Sequence, residues 1–244
     1  MTNLRRLLTA ASITVASIGL LVIAGTGTAQ ANGAGAGIVG SPHDFSGDGW
    51  NFRGEICRVC HVPHDHNRTQ QLFLNGLLWN HQVSTATYTM YDAAWSSTLN
   101  NTQSPQPDGI AKLCLGCHDG SVGVNQFDNN ADGTNGDPLE LIQTSWNAGF
   151  QIPGALNTGD LRGTHPLSIA YNGTDAGLNP DSNPMGTSGT IADVLDNGKV
   201  QCSSCHDVHD TAGEAVGGTH LLRVGQTVAF AGGPSGLCLT CHNK

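Results

Sequence analysis

The chain has 244 residues, 10 Lys and Arg against 19 Asp and Glu, and a formal net charge of −9 at pH 7. An acidic chain of this kind repels nucleic acid and anionic membrane surfaces, so neither is an expected partner. Hydrophobic residues make up 38% and glycines number 33, which excludes a conventional large apolar core, because too little apolar surface is buried to offset the entropy of ordering so many glycines.

Residues 1–31 read as a secretory signal: Arg5 and Arg6 open it, Leu7 to Ala24 is an uncharged apolar run, and Ala29-Gln30-Ala31 is a small-x-small cleavage site. An uncleaved N-terminal anchor is the alternative, although the run is barely long enough to span a bilayer. Removing it leaves one domain, 32–244, that keeps all 19 acids but loses two of the 10 basic residues, which makes the mature chain more acidic still. Asn32 to Gly40 is a flexible lead, followed by SPHDFSGDGWN with His43 and Trp50. EICRVCHVPHDHNR carries the cysteines Cys57 and Cys60 and the histidines His61, His64 and His66. Leu72 to Trp79 is apolar and stops just before His81, and Thr98 to Asp108 is a polar linker into KLCLGCHDG.

Residues 125–137 are turn-rich. Asp128, Asn130, Asp132 and Gly133 match the first half of a calcium loop, but Leu139 stands where the closing bidentate Glu belongs and Glu140 comes one residue late, so calcium is only a candidate cofactor. Asp137-Pro138-Leu139-Glu140 reads as a helix start. His165 sits in GTHPLSIAY, and Thr190 to Asn197 reads as a short helix stopped by Gly198. It feeds into CSSCH and His209, GGTHLLRV carries His220, and CLTCH lies just before Lys244.

One five-residue pattern recurs four times: Cys57–His61, Cys114–His118, Cys202–His206 and Cys238–His242. Cys-x-x-Cys-His is the attachment signature of c-type haem. Cysteines three apart lie on one side of a helical turn, where each can form a thioether to a vinyl group, and the histidine falls on the same face within reach of the iron. The four copies use all eight cysteines: Cys57, Cys60, Cys114, Cys117, Cys202, Cys205, Cys238 and Cys241. Two four-thiolate zinc sites would use the same cysteines but do not call for histidine in the next position. A disulfide framework leaves the repeated histidines unexplained, and no strand-helix-strand pattern supports thioredoxin-like chemistry. Four covalently bound haems would supply the apolar interior that the polypeptide lacks. The expected fold is therefore predominantly coil with a few short helices and little β-structure, wrapped around four stacked haems.

His61, His118, His206 and His242 are the expected proximal iron ligands. Of 11 histidines, seven remain for the opposite faces. Methionine is scarce beyond the signal, with Met90 and Met185, and Met185 reads as a packed loop residue. His64 and His209 each follow a motif histidine by three residues, so neither can close the haem of its own motif and each serves another. His43 and His165 lie in loops rich in Gly, Ser and Pro, whose backbone can approach a haem face. The expected distal set is His43, His64, His165 and His209, with His81 and His220 in reserve and His66 behind them.

SPHDFSG, EICRVCHVPHDHN, LNGLLWNH, TYTMY, KLCLGCHDG, GTHPLSI, IADVLDNGKVQCSSCHDVHD, GTHLLRV and SGLCLTCHNK resemble the OmcE family of tetrahaem extracellular cytochromes. The likeness fades in the Gly-rich lead and in 125–160. It implies bis-histidine haems in a continuous stack, subunits that polymerise end to end into conducting filaments, and one distal histidine donated by a neighbouring subunit. His64, beside the first motif, is the expected donor, and His43 is next. The expected activity is electron transfer to redox-partner cytochromes and extracellular acceptors, not enzymatic turnover, at the cell surface or beyond. The alternatives are a soluble periplasmic tetrahaem shuttle and a multihaem reductase, the latter needing one haem with an open face.

Overall fold

The computed structural model describes residues 37–62, 78–128, 152, 159–209, 221–224 and 236–243. Over these residues the protein is mostly coil with few helices and little strand. The α-helices are α1 (Ala111–His118), α2 (Cys202–Cys205) and α3 (Gly236–Cys241), and two short strands, β1 (Ile169–Ala170) and β2 (Lys199–Val200), pair antiparallel with Ile169 opposite Val200. Short 3-10 turns occupy Phe45–Gly47, Gly186–Ser188 and Ala192–Val194. Among the described residues no helix is long and apolar enough to cross a membrane. The helix start expected at Asp137 and residues 1–31 lie outside the described residues.

The expected helix over Thr190 to Asn197 is shorter than the sequence suggested: only Ala192–Val194 turn, as a 3-10 helix. The Asp193 carboxylate takes the N–H and hydroxyl of Thr190 at 2.8 and 2.7 Å, closing a local turn. Leu195 is already extended, and Asp196 and Lys199 pair across a tight reversal. Asn197 and Gly198 both have positive φ there, 51° and 72°. Asn-Gly at the centre of such a turn is a hairpin signal, so Gly198 serves the reversal that starts β2 and does not cap a helix.

Among the described residues, part of the apolar interior gathers in two clusters. Phe45, Trp50, Val59, Val124 and Phe127 make one, with Cys60 and Cys117 packed against it. Tyr88, Met90, Ala111, Leu115, Leu161 and Leu167 make the other, with Ile152 and Cys202 against it. Cysteines thus line both clusters. Polar contacts fix the loops between. Ser168 has a positive φ of 57° and is fully buried, and Gln201 accepts its hydroxyl proton at 3.0 Å. A non-glycine residue held in that region is strained and persists only where its surroundings over-determine it.

Candidate functional site

Each Cys-x-x-Cys-His motif closes on itself as one helical turn. The amide of the histidine donates to the carbonyl of the first cysteine at 2.7 Å for His61 and Cys57, 3.0 Å for His206 and Cys202, and 2.9 Å for His242 and Cys238. The second motif lies wholly within α1, the third forms α2 with His206 as its C-cap, and the fourth ends α3. A turn of this kind puts both sulfurs and the imidazole on one face. The third motif also starts with a capping box: the Gln201 amide donates to Ser204 Oγ at 3.0 Å, and the Gln201 side chain takes a backbone N–H in return.

The imidazoles then meet in pairs. His43 faces His118 with ring centres 6.1 Å apart, His209 faces His61 at 6.3 Å, and His165 faces His242 at 6.2 Å. In each pair one ring belongs to a motif and the other comes from a distant part of the chain. An imidazole nitrogen bonds a first-row metal at about 2.0–2.1 Å, so two imidazoles on opposite sides of one metal have ring centres on the order of 6 Å apart. The pairs therefore have the span of a bis-histidine iron. His209 follows the third motif but faces the first, a different motif from the one it adjoins.

The protonation chemistry suits the same group. His165 Nδ1 lies 2.8 Å from the Pro166 carbonyl oxygen. A carbonyl only accepts, so Nδ1 carries the proton and Nε2 keeps its lone pair, the arrangement that orients a metal-binding imidazole. His43 Nδ1 is buried with no hydrogen-bond partner. Burial, followed by the fields of His118, His206 and His209, holds the His43 imidazole neutral down to about pH 4, and the neutral ring is the form that ligates.

The cysteines abut in chain order. Cys60 lies in the field of Cys57 and beside Cys117, and burial pushes the Cys60 thiol up to about 12 and the Cys117 thiol higher. Cys202 makes a side-chain hydrogen bond with Cys114, which together with burial raises its thiol well above the usual range. Burial, then the field of Cys241, pushes the Cys205 thiol up to about 12. Tyr171, paired with Gly198 just ahead of β2, donates its hydroxyl to the Cys241 carbonyl at 3.2 Å and ties the fourth motif to the approach of the third. All eight cysteines are free of disulfides. Zinc binds thiolate, not thiol, and the surroundings of Cys60, Cys117, Cys202, Cys205 and Cys241 disfavour thiolate. Among the described residues no three His, Cys, Asp or Glu gather as metal ligands would. What the described residues bring together is two facing imidazoles at three of the four motifs.

The other sequence candidates fall as follows. His81 is buried beside Cys117, with its Nε2 3.9 Å from the sulfur and 3.2 Å from the Val124 carbonyl, and its Nδ1 3.2 Å from the Gln82 carbonyl. Its nitrogens thus face carbonyl oxygens, a hydrogen-bonding position. His206 lies within the electrostatic reach of His43. His64, His66 and His220 lie outside the described residues, as does all of the calcium-loop match except Asp128. The Asp128 carboxylate takes Arg58 Nε and Asn80 Nδ2, both at 2.8 Å. Met185 is 1% exposed and packs in a loop.

Sequence reasoning missed the ring of Trp79, which stands edge-on to His61 with centres 5.8 Å apart and an interplanar angle of 88°. It also missed the carboxylates Asp108 and Asp196, which stitch the second motif to the third. The Gln-x-x-Ser spacing of Gln201 and Ser204 was a readable signal for the cap, whereas the carboxylate contacts span more than 80 residues and leave no local trace. Neither the protein-family models nor the curated proteins contain a match to this chain.

Proposed function

We propose that this chain is a secreted tetrahaem c-type cytochrome that carries electrons and assembles end to end into an extracellular filament. The observation that carries the haem reading is the pairing of three motif histidines with three distant histidines at 6.1–6.3 Å. His61, His118, His206 and His242 hold the irons from one side. His209, His43 and His165 hold the first, second and fourth from the other, and His64 remains the expected ligand of the subunit junction. Each cysteine pair anchors its porphyrin by two thioethers.

Once bound, the haems supply one-electron chemistry at low potential, since bis-histidine ligation lacks the methionine that raises it. The residues of the chain do the rest: they fix the spacing of the sites and keep the His43 imidazole neutral. The electrostatic proximity of Cys60 to Cys117 and of Cys205 to Cys241, and the hydrogen bond between Cys114 and Cys202, support a series that runs in motif order. The filament rests on the resemblance to the OmcE family given by the sequence blocks around the motifs.

Mass spectrometry and the pyridine haemochrome spectrum of the exported protein test the cofactor. Four covalent haems per chain are expected, and a colourless protein with eight titratable thiols overturns the proposal. Negative-stain microscopy of the secreted material tests assembly: filaments support the filament reading, and monodisperse particles point to the periplasmic shuttle. A high-spin component in the native spectrum would point to the reductase.

A further inference from the structure

We infer that Asp196 and Asp108 are positioning residues that hold the second haem-attachment helix against the third; this rests on the haem reading above. The contact is reciprocal. The amide of Ile110, the residue ahead of α1, donates to Asp196 Oδ2 at 3.0 Å, so a carboxylate from the approach to the third motif anchors the start of the second. In the other direction, Asp108, on the approach to the second motif, accepts from Gln201 Nε2 at 2.9 Å, and Gln201 is the residue ahead of α2. Asp108 also pairs with Lys199 of β2 and accepts from Ser104 Oγ at 2.8 Å. Burial works against its charge, but the hydrogen bonds from Lys199, Ser104 and Gln201 outweigh it and hold the carboxyl below its ordinary range. Ser168 joins both halves, accepting from the Asp108 amide at 3.0 Å and donating to Gln201 Oε1 at 3.0 Å.

Gly109 shows how closely the clamp is built. Its φ is +51°, and a Cβ there would lie 2.0 Å from Asp196 Oδ2. Only glycine both adopts that conformation and leaves room for the carboxylate to reach the helix start. Beyond the clamp, Cys202 packs on the cluster containing Ala111 and Leu115 and lies beside Cys114. Sliding either helix therefore breaks two carboxylate contacts at once, and the separation of the second and third sites is set by this polar frame. None of its members is an expected iron ligand.

The test uses the exported, haem-loaded protein with Asp196→Ala, Asp196→Asn and Asp193→Ala. Asp193 bonds Thr190 three residues away and serves as the control. Haem content, amide exchange at Ile110 and the Soret circular-dichroism couplet, which reports neighbouring haems, are read on each. Asp196→Ala is expected to keep four haems, to exchange the Ile110 amide roughly tenfold faster as its hydrogen bond is lost, and to lose the couplet amplitude contributed by the second and third sites. Asp196→Asn keeps an oxygen acceptor and is expected to restore both. Exchange and couplet in Asp196→Ala equal to those of Asp193→Ala overturn the inference. Should Asp196→Ala not be recovered folded, Asp108→Asn carries the test, because it removes the charge facing Lys199 while keeping the shape; a diminished couplet supports the clamp and an unchanged one overturns it. A wild-type chain without haem fails the proposed function instead, and the two failures are told apart by the haem content.

Discussion

Replacing His209 with alanine isolates the most specific consequence of the ring pairing. His209 stands 6.3 Å from His61, at an interplanar angle of 24°, and it follows the third motif in sequence while facing the first. In the proposed reading its loss would leave the first iron with His61 alone. One haem in four then becomes five-coordinate, so about a quarter of the iron should pass from low spin to high spin, and carbon monoxide should bind the reduced protein at about one equivalent per chain against none in the parent. Absorption spectra of the ferric protein and a carbon monoxide titration of the dithionite-reduced protein measure both. His81→Ala is the matched control: it removes a buried histidine of the same neighbourhood whose nitrogens face the Gln82 and Val124 carbonyls, and no high-spin fraction is expected. His209→Met adds a sign test, because methionine can refill the position and should raise the potential of that one haem. Full low-spin character and no carbon monoxide binding in His209→Ala would refute the pairing.

Low-temperature electron paramagnetic resonance should show more than one low-spin species, because the imidazole planes cross at 24° in the His61 and His209 pair but at 52° and 64° in the other two; a single uniform rhombic signal would contradict these angles. Burial and the hydrogen bond to Asp119 push the Tyr88 hydroxyl up to about 12 from its ordinary value near 10. The folded state therefore keeps a proton that the unfolded chain gives up, so the stabilisation is complete below pH 10 and is lost as pH rises toward 12, at most about 2–3 kcal/mol. Denaturant melts against pH should show this alkaline decline in the parent and a flatter one in Tyr88→Phe. At Gly159, φ is +63° and a Cβ would lie 2.4 Å from the Thr87 carbonyl oxygen. Gly159→Ala should cost about 1–3 kcal/mol and lower Tm by several degrees without altering the haem spectrum; an unchanged melt would show that the 87–89 and 159–161 segments do not pack as described.

What the sequence made legible follows from the range of the forces involved. The turn of each Cys-x-x-Cys-His motif depends on five consecutive residues, and the His61 to Cys57, His206 to Cys202 and His242 to Cys238 backbone bonds follow the expected spacing. The coil-rich character follows from glycine content and sparse apolar periodicity. Thr190 to Asn197 misled because its composition suits a helix, while the Asp193 side chain satisfies Thr190 locally and the Asn197-Gly198 turn draws Lys199 back onto Asp196. Such side-chain competition is why Asp and Thr make weak helix interiors. The Asp128 carboxylate, first position of the calcium-loop match, accepts from Arg58, 70 residues away. Contacts of that separation leave no periodic signature, and the same holds for the bond from Ile110 to Asp196.

In the proposed reading, the origin of the second histidines would make the chain one unit and not four haem-binding beads. His43 lies ahead of the first motif and faces the second; His209 follows the third and faces the first; His165, between the second and third, faces the fourth. No site with a described pair is closed by the segment that attaches it. If His209 ligates the first site, that ligation would close a loop of well over a hundred residues, and the entropy of that closure would be met only when the intervening sites pack as well. The small clusters around Phe127 and Leu115, each lined by motif cysteines, are too slight to fold a chain of this length alone. In that reading thioethers would fix which polypeptide segment each porphyrin belongs to, and crossed histidines would fix how the segments sit together. Cysteine spacing alone does not distinguish a tetrahaem unit from a string of single sites; the crossing of ligands between motifs does.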